Sequence, residues 1–393
     1  MRYRLFGKTG LSVSVFGLGC MRFPTEKDAD GNQIVEKDKA FELIHTAINE
    51  GVNYFDTAYP YHGGQSEPLL GEALSSVNRE EIFVATKSPV WKVEDHDDFE
   101  RFIDKQLERL RTDYIDFYLL HSLNRKLWDK AIEHRALDFL EKIQSDGRAK
   151  HVGFSFHDNF DVFKEITRSY DWDMLQIQLN FLDQHYQAGL KGLEFAAEME
   201  IPVVVMEPLR GGRLAEPPSK EIAAAWNKAS LKRKPVEWAF RWLYNRPEVN
   251  VILSGVSTME HLKEDIAIFD KAEPRCMTEE ELRVVEQVRE LYDKGLPVRC
   301  TGCNYCIPCP SGVEIASVFN LYNNASLYND YDNQSRLYKN WFVDPGKGAE
   351  ACVECGQCEE ACPQELPVIK LLKEAHSHLI TEEFQHMQNL RTS

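Results

Sequence analysis

Eight short runs rich in β-branched and aromatic residues, each followed by a longer amphipathic segment, determine the fold class of this chain. The first run is VFGLG at 15–19 and the eighth is NVILSG at 250–255. The segments between them, such as KDKAFELIHTAINEG, carry apolar residues three and four positions apart, which is typical of a helix with one buried face. The other six predicted strands are 54–58, 82–87, 116–121, 151–155, 174–179 and 202–207.

Eight strand–helix repeats match a closed (β/α)8 TIM barrel, which typically needs about 250 residues. The repeats span about residues 15–270. The alternative is an open doubly wound sheet, which commonly has three glycines in the turn after its first strand. Here FGLGCMRF contains only Gly17 and Gly19. The pattern therefore predicts an α/β protein built on the barrel.

The chain is longer than one barrel requires, because it has 393 residues. Two helix-like segments, MEHLKEDIAIF and TEEELRVVEQVRELYDKG, follow the eighth predicted strand, and a cysteine-rich tail begins at Pro297. We place a domain boundary at this point. The prediction is a barrel in residues 1–296 and a small second domain, ending in a C-terminal helix, in residues 297–393.

The charge of the chain disfavours polyanionic partners. Its formal net charge is −17, from 63 acidic and 46 basic side chains, and both nucleic acids and anionic membranes would repel such a protein. The N-terminal MRYRLFGKTG has no apolar run of the kind found in signal peptides, and no stretch approaches the roughly 20 apolar residues that span a bilayer. We expect a cytoplasmic protein that binds neither nucleic acid nor membrane.

Eight of the ten cysteines lie in two runs near the C-terminus. The first run, C-x2-C-x2-C-x2-C-P, begins at Cys300, and the second, C-x2-C-x2-C-x3-C-P, ends at Pro363. In a cytosolic chain, which we expect here, such spacing is more typical of metal binding than of disulfides. The second run has the spacing of a bacterial ferredoxin, in which the fourth cysteine binds the other cluster.

This rule predicts a ferredoxin-like domain with two [4Fe-4S] clusters, and one cluster is the alternative. The first run is one residue shorter before its last cysteine, Cys309, than the rule requires. Zinc also accepts four thiolates in paired C-x2-C units, but it does not need three cysteines at successive three-residue steps. The predicted ligand sets are Cys300, Cys303, Cys306 and Cys362 for the first cluster, and Cys352, Cys355, Cys358 and Cys309 for the second.

Polar side chains occur where three consecutive predicted strands end. Asp56 lies at the end of the second strand, Lys87 at the end of the third and His121 at the end of the fourth. Tyr59 and Tyr61 are in the loop after Asp56. Loops at the C-terminal ends of barrel strands form the active site in this fold. We therefore expect these groups to share one pocket.

The motifs DTAYPY, FVATK and DFYLLH resemble, in this order, signatures of the aldo-keto reductase family. The segments RLFGKTGLSVSVFGLGCMRF, GRAKHVGFSFH and VILSGVSTMEHLKED are similar to further family segments, and the resemblance covers about residues 2–270. It implies an NAD(P)H-dependent oxidoreductase that reduces an aldehyde or ketone, or oxidises the alcohol, by hydride transfer. The family spacing favours Tyr61 over Tyr59.

The resemblance also implies roles for four residues as a catalytic tetrad. Reducing a carbonyl builds negative charge on its oxygen, so a proton donor must stand beside it. Tyr61 would be this donor, with its pKa of normally about 10 lowered by the Lys87 ammonium. Asp56 would hold Lys87 as its counter-ion, and His121 would orient the carbonyl through a hydrogen bond.

The resemblance places the nicotinamide carboxamide against Ser155 and Gln176. Gln178 and Asn180 lie nearby in the sequence and are the reserve candidates. Phe156 stands where many family members have an asparagine that contacts the carboxamide. The carboxamide site is therefore expected to differ from the family pattern in one contact.

The remaining dinucleotide contacts are expected from two later segments. Met206 occupies the place of a tyrosine that commonly stacks on the nicotinamide, and its thioether could cover the ring. Gly255 and Ser257 would approach the phosphates. Members specific for NADPH usually carry lysine and arginine for the 2′-phosphate where this chain has Gly255 and His261. We predict NADPH, with NADH as the open alternative.

A nicotinamide delivers two electrons as hydride, whereas each cluster passes one, so exchange between them needs a mediator. A flavin could serve, although no flavin-binding stretch is evident. Our leading hypothesis is a reductase of a small carbonyl, or oxidase of its alcohol, whose cluster domain exchanges electrons with a redox carrier protein. The alternatives are a reductase with structural or redox-sensing clusters, and a non-catalytic electron-transfer module.

Overall fold

The computed structural model describes residues 1–30 and 32–380. The last thirteen residues of the predicted second domain, 381–393, lie outside that description. The strands are β1 (Tyr3–Leu5), β2 (Ser12–Ser14), β3 (Phe16–Gly19), β4 (Thr25–Lys27), β5 (Gln33–Val35), β6 (Tyr54–Asp56), β7 (Phe83–Ser88), β8 (Ile115–Leu123), β9 (Ala149–Phe156), β10 (Met174–Gln178), β11 (Val203–Met206) and β12 (Val249–Ser254). The α-helices are α1 (Lys37–Asn49), α2 (Ser66–Leu74), α3 (Asp97–Leu110), α4 (Arg125–Glu133), α5 (Ala136–Ser145), α6 (Phe160–Arg168), α7 (Gly189–Glu198), α8 (Lys220–Trp226), α9 (Pro235–Tyr244), α10 (Met259–Phe269), α11 (Glu279–Gly295), α12 (Ile315–Tyr328), α13 (Tyr331–Tyr338), α14 (Gln357–Glu360) and α15 (Val368–Leu379).

The eight predicted strands form and close into one parallel barrel, so the predicted fold is confirmed. Their order around the barrel is β10-β11-β12-β3-β6-β7-β8-β9. Strands of a parallel barrel are covered on both faces, by side chains inside and helices outside. β8 illustrates this, since its first seven residues, from Ile115 to His121, are all buried.

The floor of the barrel is closed by a hairpin that the sequence pattern did not predict. β1 and β2 pair in antiparallel register, and Phe6, between them, is fully buried. Its ring centroid lies 5.0 Å from that of Phe117 and 6.3 Å from that of Tyr54. This aromatic plug fills the N-terminal end of the barrel. A binding site is therefore confined to the opposite end.

The described residues divide into two compact units. The first comprises Met1–Leu209 and Glu237–Met277, and the second comprises Arg210–Val236 together with the chain from Thr278 onwards. The second unit thus contains α8 and α11 as well as the cysteine runs. The predicted domain boundary after residue 296 lies within this unit, directly after α11, and it stays a prediction.

The second unit has its own hydrophobic core. α12 and α15 supply most of it, including Val318, Phe319 and Leu372, and the thiol-bearing residues Cys300 and Cys358 belong to the same core. The predicted C-terminal helix corresponds to α15. Across residues 1–30 and 32–380, no helix is both long enough and apolar enough to cross a membrane.

Candidate functional site

An acid and an amine meet at the C-terminal ends of β6 and β7. Lys87 Nζ donates hydrogen bonds of 2.7 Å to Asp56 Oδ1 and 2.7 Å to the carbonyl oxygen of Thr57. The two residues are almost inaccessible, with 2% of Asp56 and 1% of Lys87 exposed. Burial raises the pKa of the Asp56 carboxyl, and the Lys87 ammonium opposes that rise. The pair therefore fixes a positive charge at the barrel mouth.

The predicted tyrosine lies directly against this charge. Tyr61 begins a short 3-10 turn, Tyr61–Gly64, and Lys87 Nζ is 5.1 Å from the centroid of its ring. The same ring meets His121 edge-on, with centroids 6.1 Å apart. The structure thus brings together all four residues of the predicted tetrad. Their catalytic roles stay predictions.

His121 is a buried, neutral imidazole. Burial lowers its pKa well below the usual value, and the charges of Lys87 and His157 lower it further. Within the described part of the chain, its Nδ1 has no hydrogen-bond partner. β8 is irregular at this point, between Leu120 and Leu123, and such bulges often redirect a side chain next to an active site. The ring therefore has one nitrogen available for a bound molecule.

Ser155 and Gln176 are neighbours, as the predicted carboxamide site requires. They pair in register across β9 and β10, and both are buried. Ser155 Oγ accepts a 2.7 Å hydrogen bond from the backbone N–H of Ser122, while Gln176 Oε1 has no partner among the described residues. Since the hydroxyl of Ser155 remains a donor and Gln176 Oε1 an acceptor, the two complement an amide group.

The two reserve residues are engaged in shaping the loop after β10. Asn180 Oδ1 accepts from the backbone N–H groups of Leu182 and Asp183, at 3.0 and 2.9 Å. Its Nδ2 donates to the carbonyl of Glu207 at 3.1 Å. Gln178 is buried, with its Nε2 3.5 Å from Asp183 Oδ2. These contacts favour Gln176 for the carboxamide.

The other predicted cofactor residues lie at the ends of β11 and β12. Met206, half-buried at the end of β11, packs against the barrel core. Gly255 is exposed, and Ser257 Oγ donates a 2.8 Å hydrogen bond to the carbonyl oxygen of Arg22. His261 is exposed on the first turn of α10, and its backbone N–H is capped by Thr258. The Ser257 hydroxyl is therefore already committed within the protein.

The second predicted set of cysteines surrounds a cavity. Its volume is about 210 Å³, and Cys306 also reaches its wall. In the described residues, no three His, Cys, Asp or Glu side chains converge closely enough to hold a single metal ion. Thiols around a cavity of this size are compatible with a cluster, whose irons occupy a volume. The members of the set that line the cavity are Cys309, Cys352, Cys355 and Cys358.

Members of the first predicted set influence one another electrostatically. The pKa of Cys306 is raised to about 12, mainly by burial and in part by the neighbouring thiols of Cys300 and Cys362. Burial likewise raises the pKa of Cys362, with a contribution from Cys300. Cys358, which belongs to the second predicted set, acts on Cys306 in the same direction. The assignment of the eight cysteines to two ligand sets therefore stays a prediction.

The barrel and the tail each match a family model. Residues 15–289 match the aldo/keto reductase family. The chain belongs to this family. Residues 299–366 match the 4Fe-4S dicluster domain. The enzyme is thus an aldo-keto reductase-type oxidoreductase with an iron–sulfur domain at its C-terminus.

Curated relatives cover the barrel region of this aldo-keto reductase. It is 28% identical over 315 residues to the uncharacterized oxidoreductase YqkF of Bacillus subtilis, spanning 73% of this chain and 96% of that protein. It is 28% identical over 309 residues to L-galactose dehydrogenase of Arabidopsis thaliana, spanning 73% of this chain and 94% of that protein. It is 25% identical over 306 residues to the NADH-specific methylglyoxal reductase of Escherichia coli, spanning 67% and 92%.

A solved structure supports the same fold. The holo form of aldo-keto reductase AKR11C1 from Bacillus halodurans superimposes with a TM-score of 0.61 at 24% identity, covering 73% of this chain and 96% of that one. At this identity the likeness concerns the fold. It agrees with the closed eight-stranded barrel found here.

Three features of this aldo-keto reductase site were not predicted, and the first is Arg22. A Cβ atom placed on Gly255 would lie 3.1 Å from Cβ and 3.2 Å from Cγ of Arg22, so the arginine stem occupies the space above the glycine. Arg22 Nη2 is buried and has no hydrogen-bond partner in the residues described. The only signal in the sequence was a cation directly after the first strand.

The second feature is a buried polar network behind Lys87. The carboxylate of Glu67 accepts from Thr86 Oγ1 at 2.7 Å, Gln106 Nε2 at 2.6 Å and Arg109 Nη1 at 2.9 Å. Gln106 Nε2 also lies 3.1 Å from the carbonyl oxygen of Lys87. The network therefore anchors the backbone that carries the lysine. Polar residues at i and i+3 on α3 were the only signal for it.

The third feature is Trp91, which covers His121. The two ring centroids are 5.1 Å apart, and Trp91 lies in a short 3-10 turn, Val90–Lys92, after β7. An exposed tryptophan in a loop at the C-terminal end of a barrel strand is a candidate substrate contact. It gives the pocket an apolar wall beside the imidazole.

Proposed function

We propose that this enzyme reduces an aldehyde or ketone, or oxidises the corresponding alcohol, with a nicotinamide dinucleotide. The observation that carries the proposal is the contact of one tyrosine ring with both Lys87 Nζ, 5.1 Å from its centroid, and the His121 ring. Two of the relatives are named as a dehydrogenase and a methylglyoxal reductase, which are names for reactions in the two directions. The substrate class for this chain is a small carbonyl compound or alcohol.

The residues of the pocket would share the work of proton transfer. The Tyr61 hydroxyl gives a proton to the developing oxyanion, and the adjacent Lys87 ammonium stabilises the phenolate that is left. Asp56 holds the ammonium in place through its 2.7 Å hydrogen bond. Neutral His121 hydrogen-bonds the carbonyl oxygen, and Trp91 shields that oxygen from water. A bound dinucleotide supplies the hydride.

The carboxamide of the dinucleotide would bind between β9 and β10. The Ser155 hydroxyl would donate to the amide oxygen, and Gln176 Oε1, which has no partner among the described residues, would accept from the amide nitrogen. Met206 would cover one face of the nicotinamide ring. The test is loss of the reduced-nicotinamide absorbance with a panel of aldehydes and ketones, assayed with NADPH and NADH separately. No oxidation of either dinucleotide with any carbonyl would contradict the proposal.

Arg22 would bind the phosphates of the dinucleotide. Its guanidinium would take the place of the basic side chain that NADPH-specific members carry where this chain has Gly255. We expect Arg22→Met to weaken dinucleotide binding about tenfold or more, since a charge-assisted hydrogen bond contributes roughly 1.5–3 kcal/mol. Titration with NADPH and NADH measures this by nicotinamide fluorescence. An equal loss of affinity for NADPH and NADH would locate the Arg22 contact at the pyrophosphate. A loss of affinity for NADPH alone would locate it at the 2′-phosphate.

The control for this test is Arg135→Met, because the side chain of Arg135 is 70% exposed on the surface. It removes the same charge without touching Gly255. If Arg22→Met binds both dinucleotides as tightly as Arg135→Met does, the phosphate contact is refuted. In that case His261 becomes the next residue to examine near this segment.

The C-terminal domain would hold two [4Fe-4S] clusters and pass electrons to a redox carrier protein. Cavity-lining Cys309 belongs to the first run by sequence, yet it lies with Cys352, Cys355 and Cys358. We expect Cys309→Ser to lose about half of the iron and sulfide, because one cluster would lose a ligand. Anaerobic iron analysis and absorbance spectra measure this, and the spectra of the parent also report any flavin.

The matched control is Cys276→Ser, which alters a thiol outside both runs. If Cys309→Ser keeps the full iron content of this control, Cys309 is not a ligand. Zinc in place of iron in the parent would instead refute the clusters. Adding NADPH and then NADH to the parent shows whether either dinucleotide reduces the iron.

A further inference from the structure

One face of α12 holds two separate segments of the second unit. Asn320 and Asn323 are three residues apart, so they lie one above the other on this helix. Asn323 Oδ1 accepts from the backbone N–H of Val298 at 2.9 Å, and its Nδ2 donates to the carbonyl oxygen of Val298 at 2.7 Å. Asn320 Oδ1 accepts from Arg213 Nη1 at 2.6 Å. The helix thereby brings Arg213 to the chain that leads into Cys300.

Arg213 and Cys300 are close enough to interact through charge. Burial lowers the pKa of the Arg213 guanidinium, and Cys300 opposes that change more strongly than Glu216 does. Cys300 is 9% exposed and belongs to the same core as Val318 and Phe319, which flank Asn320 on α12. The hydrogen bonds of α12 thus hold Arg213 near the segment that carries Cys300.

Two further groups make the surroundings of Cys300 polar. The backbone N–H of Gly302 donates to Cys300 Sγ at 3.4 Å. Thr301 is 2% exposed, and its Oγ1 has no hydrogen-bond partner among the residues described. A buried hydroxyl without a partner is costly, so an acceptor such as a cluster sulfur would satisfy it.

The surroundings of the second ligand set are different. Apolar side chains form much of its cavity wall, among them Ile307, Val313, Ile315, Val353 and Leu372. Acidic residues act on thiols of both sets, since Glu359 raises the pKa of Cys358 and Glu365 raises that of Cys362. Net charge and hydrogen bonds to sulfur are among the factors that set the potential of an iron–sulfur cluster. The two sets therefore differ in the presence of Arg213 and Thr301 near Cys300, and not in their acidic neighbours.

We propose that Arg213 raises the reduction potential of the cluster bound by Cys300, Cys303, Cys306 and Cys362. The inference rests on the proposed pair of clusters. Reduction adds one electron and no atom, so the cluster becomes more negative by one charge. A fixed guanidinium beside Cys300 stabilises that added charge in a medium of low dielectric. The segment that follows β11 thus tunes one cluster and not the other.

The experiment is an anaerobic redox titration of the full-length holoprotein with dithionite, followed by electron paramagnetic resonance. Arg213→Met should lower the midpoint potential of one cluster and leave the other unchanged. A tenfold change in the one-electron equilibrium constant corresponds to a shift of 59 mV. Arg213→Lys, which keeps the charge, should stay near the parent. Arg336→Met is the matched control, because Arg336 is exposed on α13 and, among the described residues, hydrogen-bonds only Asn333.

The outcomes separate this inference from the proposed clusters. A parent protein without iron would refute the clusters themselves. A parent with clusters whose potentials match those of Arg213→Met would overturn the role of Arg213, and so would an equal shift in Arg336→Met. Should Arg213→Met retain less iron, Asn320→Leu provides the test, since it frees the guanidinium while keeping its charge. It should lower the same potential by less.

Discussion

Tyr61→Phe should lower kcat for carbonyl reduction by about 10²–10⁴-fold, because the variant keeps the ring and loses only the proton donor. The ring would still contact Lys87 and His121, so the affinity for the dinucleotide should not change. Steady-state rates with a reactive aldehyde, together with fluorescence titration of the dinucleotide, measure both quantities. A fall in rate without a fall in affinity would assign Tyr61 to the chemical step.

Tyr59→Phe is the matched control for this variant. Tyr59 packs edge-on against Phe102, with ring centroids 5.2 Å apart, and the Arg109 guanidinium lies 4.4 Å from its ring centroid. These contacts use the ring, so removal of its hydroxyl should leave the rate nearly unchanged. Equal rates for Tyr61→Phe and the parent would remove the catalytic assignment. Absence of turnover in the parent itself would favour the alternative of a non-catalytic electron-transfer module.

Lys87→Met should abolish most activity and also destabilise the barrel by about 3–5 kcal/mol. The variant leaves the Asp56 carboxylate buried without its partner, and breaking a buried ion pair in this way is strongly destabilising. It also removes the charge that would stabilise the Tyr61 phenolate in the proposed mechanism. The midpoint of urea unfolding and the aldehyde turnover rate measure the two effects. Lys126→Met, on the exposed face of α4, is the control for loss of a lysine.

The double variant Asp56→Asn, Lys87→Met separates stability from catalysis. Removing both charges should recover much of the lost stability, because no unpaired ion remains, whereas activity should stay low. A single variant Lys87→Met that is as stable and as active as Lys126→Met would contradict the buried pair. The network of Glu67, Thr86 and Gln106 is retained in all these variants, so the backbone at position 87 stays anchored.

The barrel could be predicted because its strands leave an unambiguous pattern. Strands covered on both faces are continuous apolar runs, and β8 and β12 show this along most of their length. The β1–β2 and β4–β5 hairpins could not be predicted in the same way. Each of their strands has three residues, which is too short to display a period of two.

The clustering of Asp56, Tyr61, Lys87 and His121 could be predicted, because the C-terminal ends of consecutive barrel strands lie side by side around the barrel mouth. The same rule does not identify residues that reach the mouth from elsewhere. Arg22 and Gly255 follow β3 and β12, which are adjacent only because the barrel closes between its first and last strands. The 3-10 turn Val90–Lys92 positions Trp91 beside His121, and the conformation of this turn has no sequence signature. Their contacts depend on packing that no local pattern specifies.

Arg210–Val236 gives the second unit an uncommon chain path. The polypeptide leaves the first unit after β11, contributes α8, returns for α9, β12 and α10, and departs again at Thr278. α8 has a buried face with Ile222 and Trp226, and it packs with α11. The cluster-bearing unit is consequently a discontinuous domain with three covalent crossings. Truncation near residue 296 would therefore leave α8 and α11 on the reductase fragment. Separating the two units requires removal of Arg210–Val236 as well as of the chain from Thr278, and rejoining of the chain between Leu209 and Glu237.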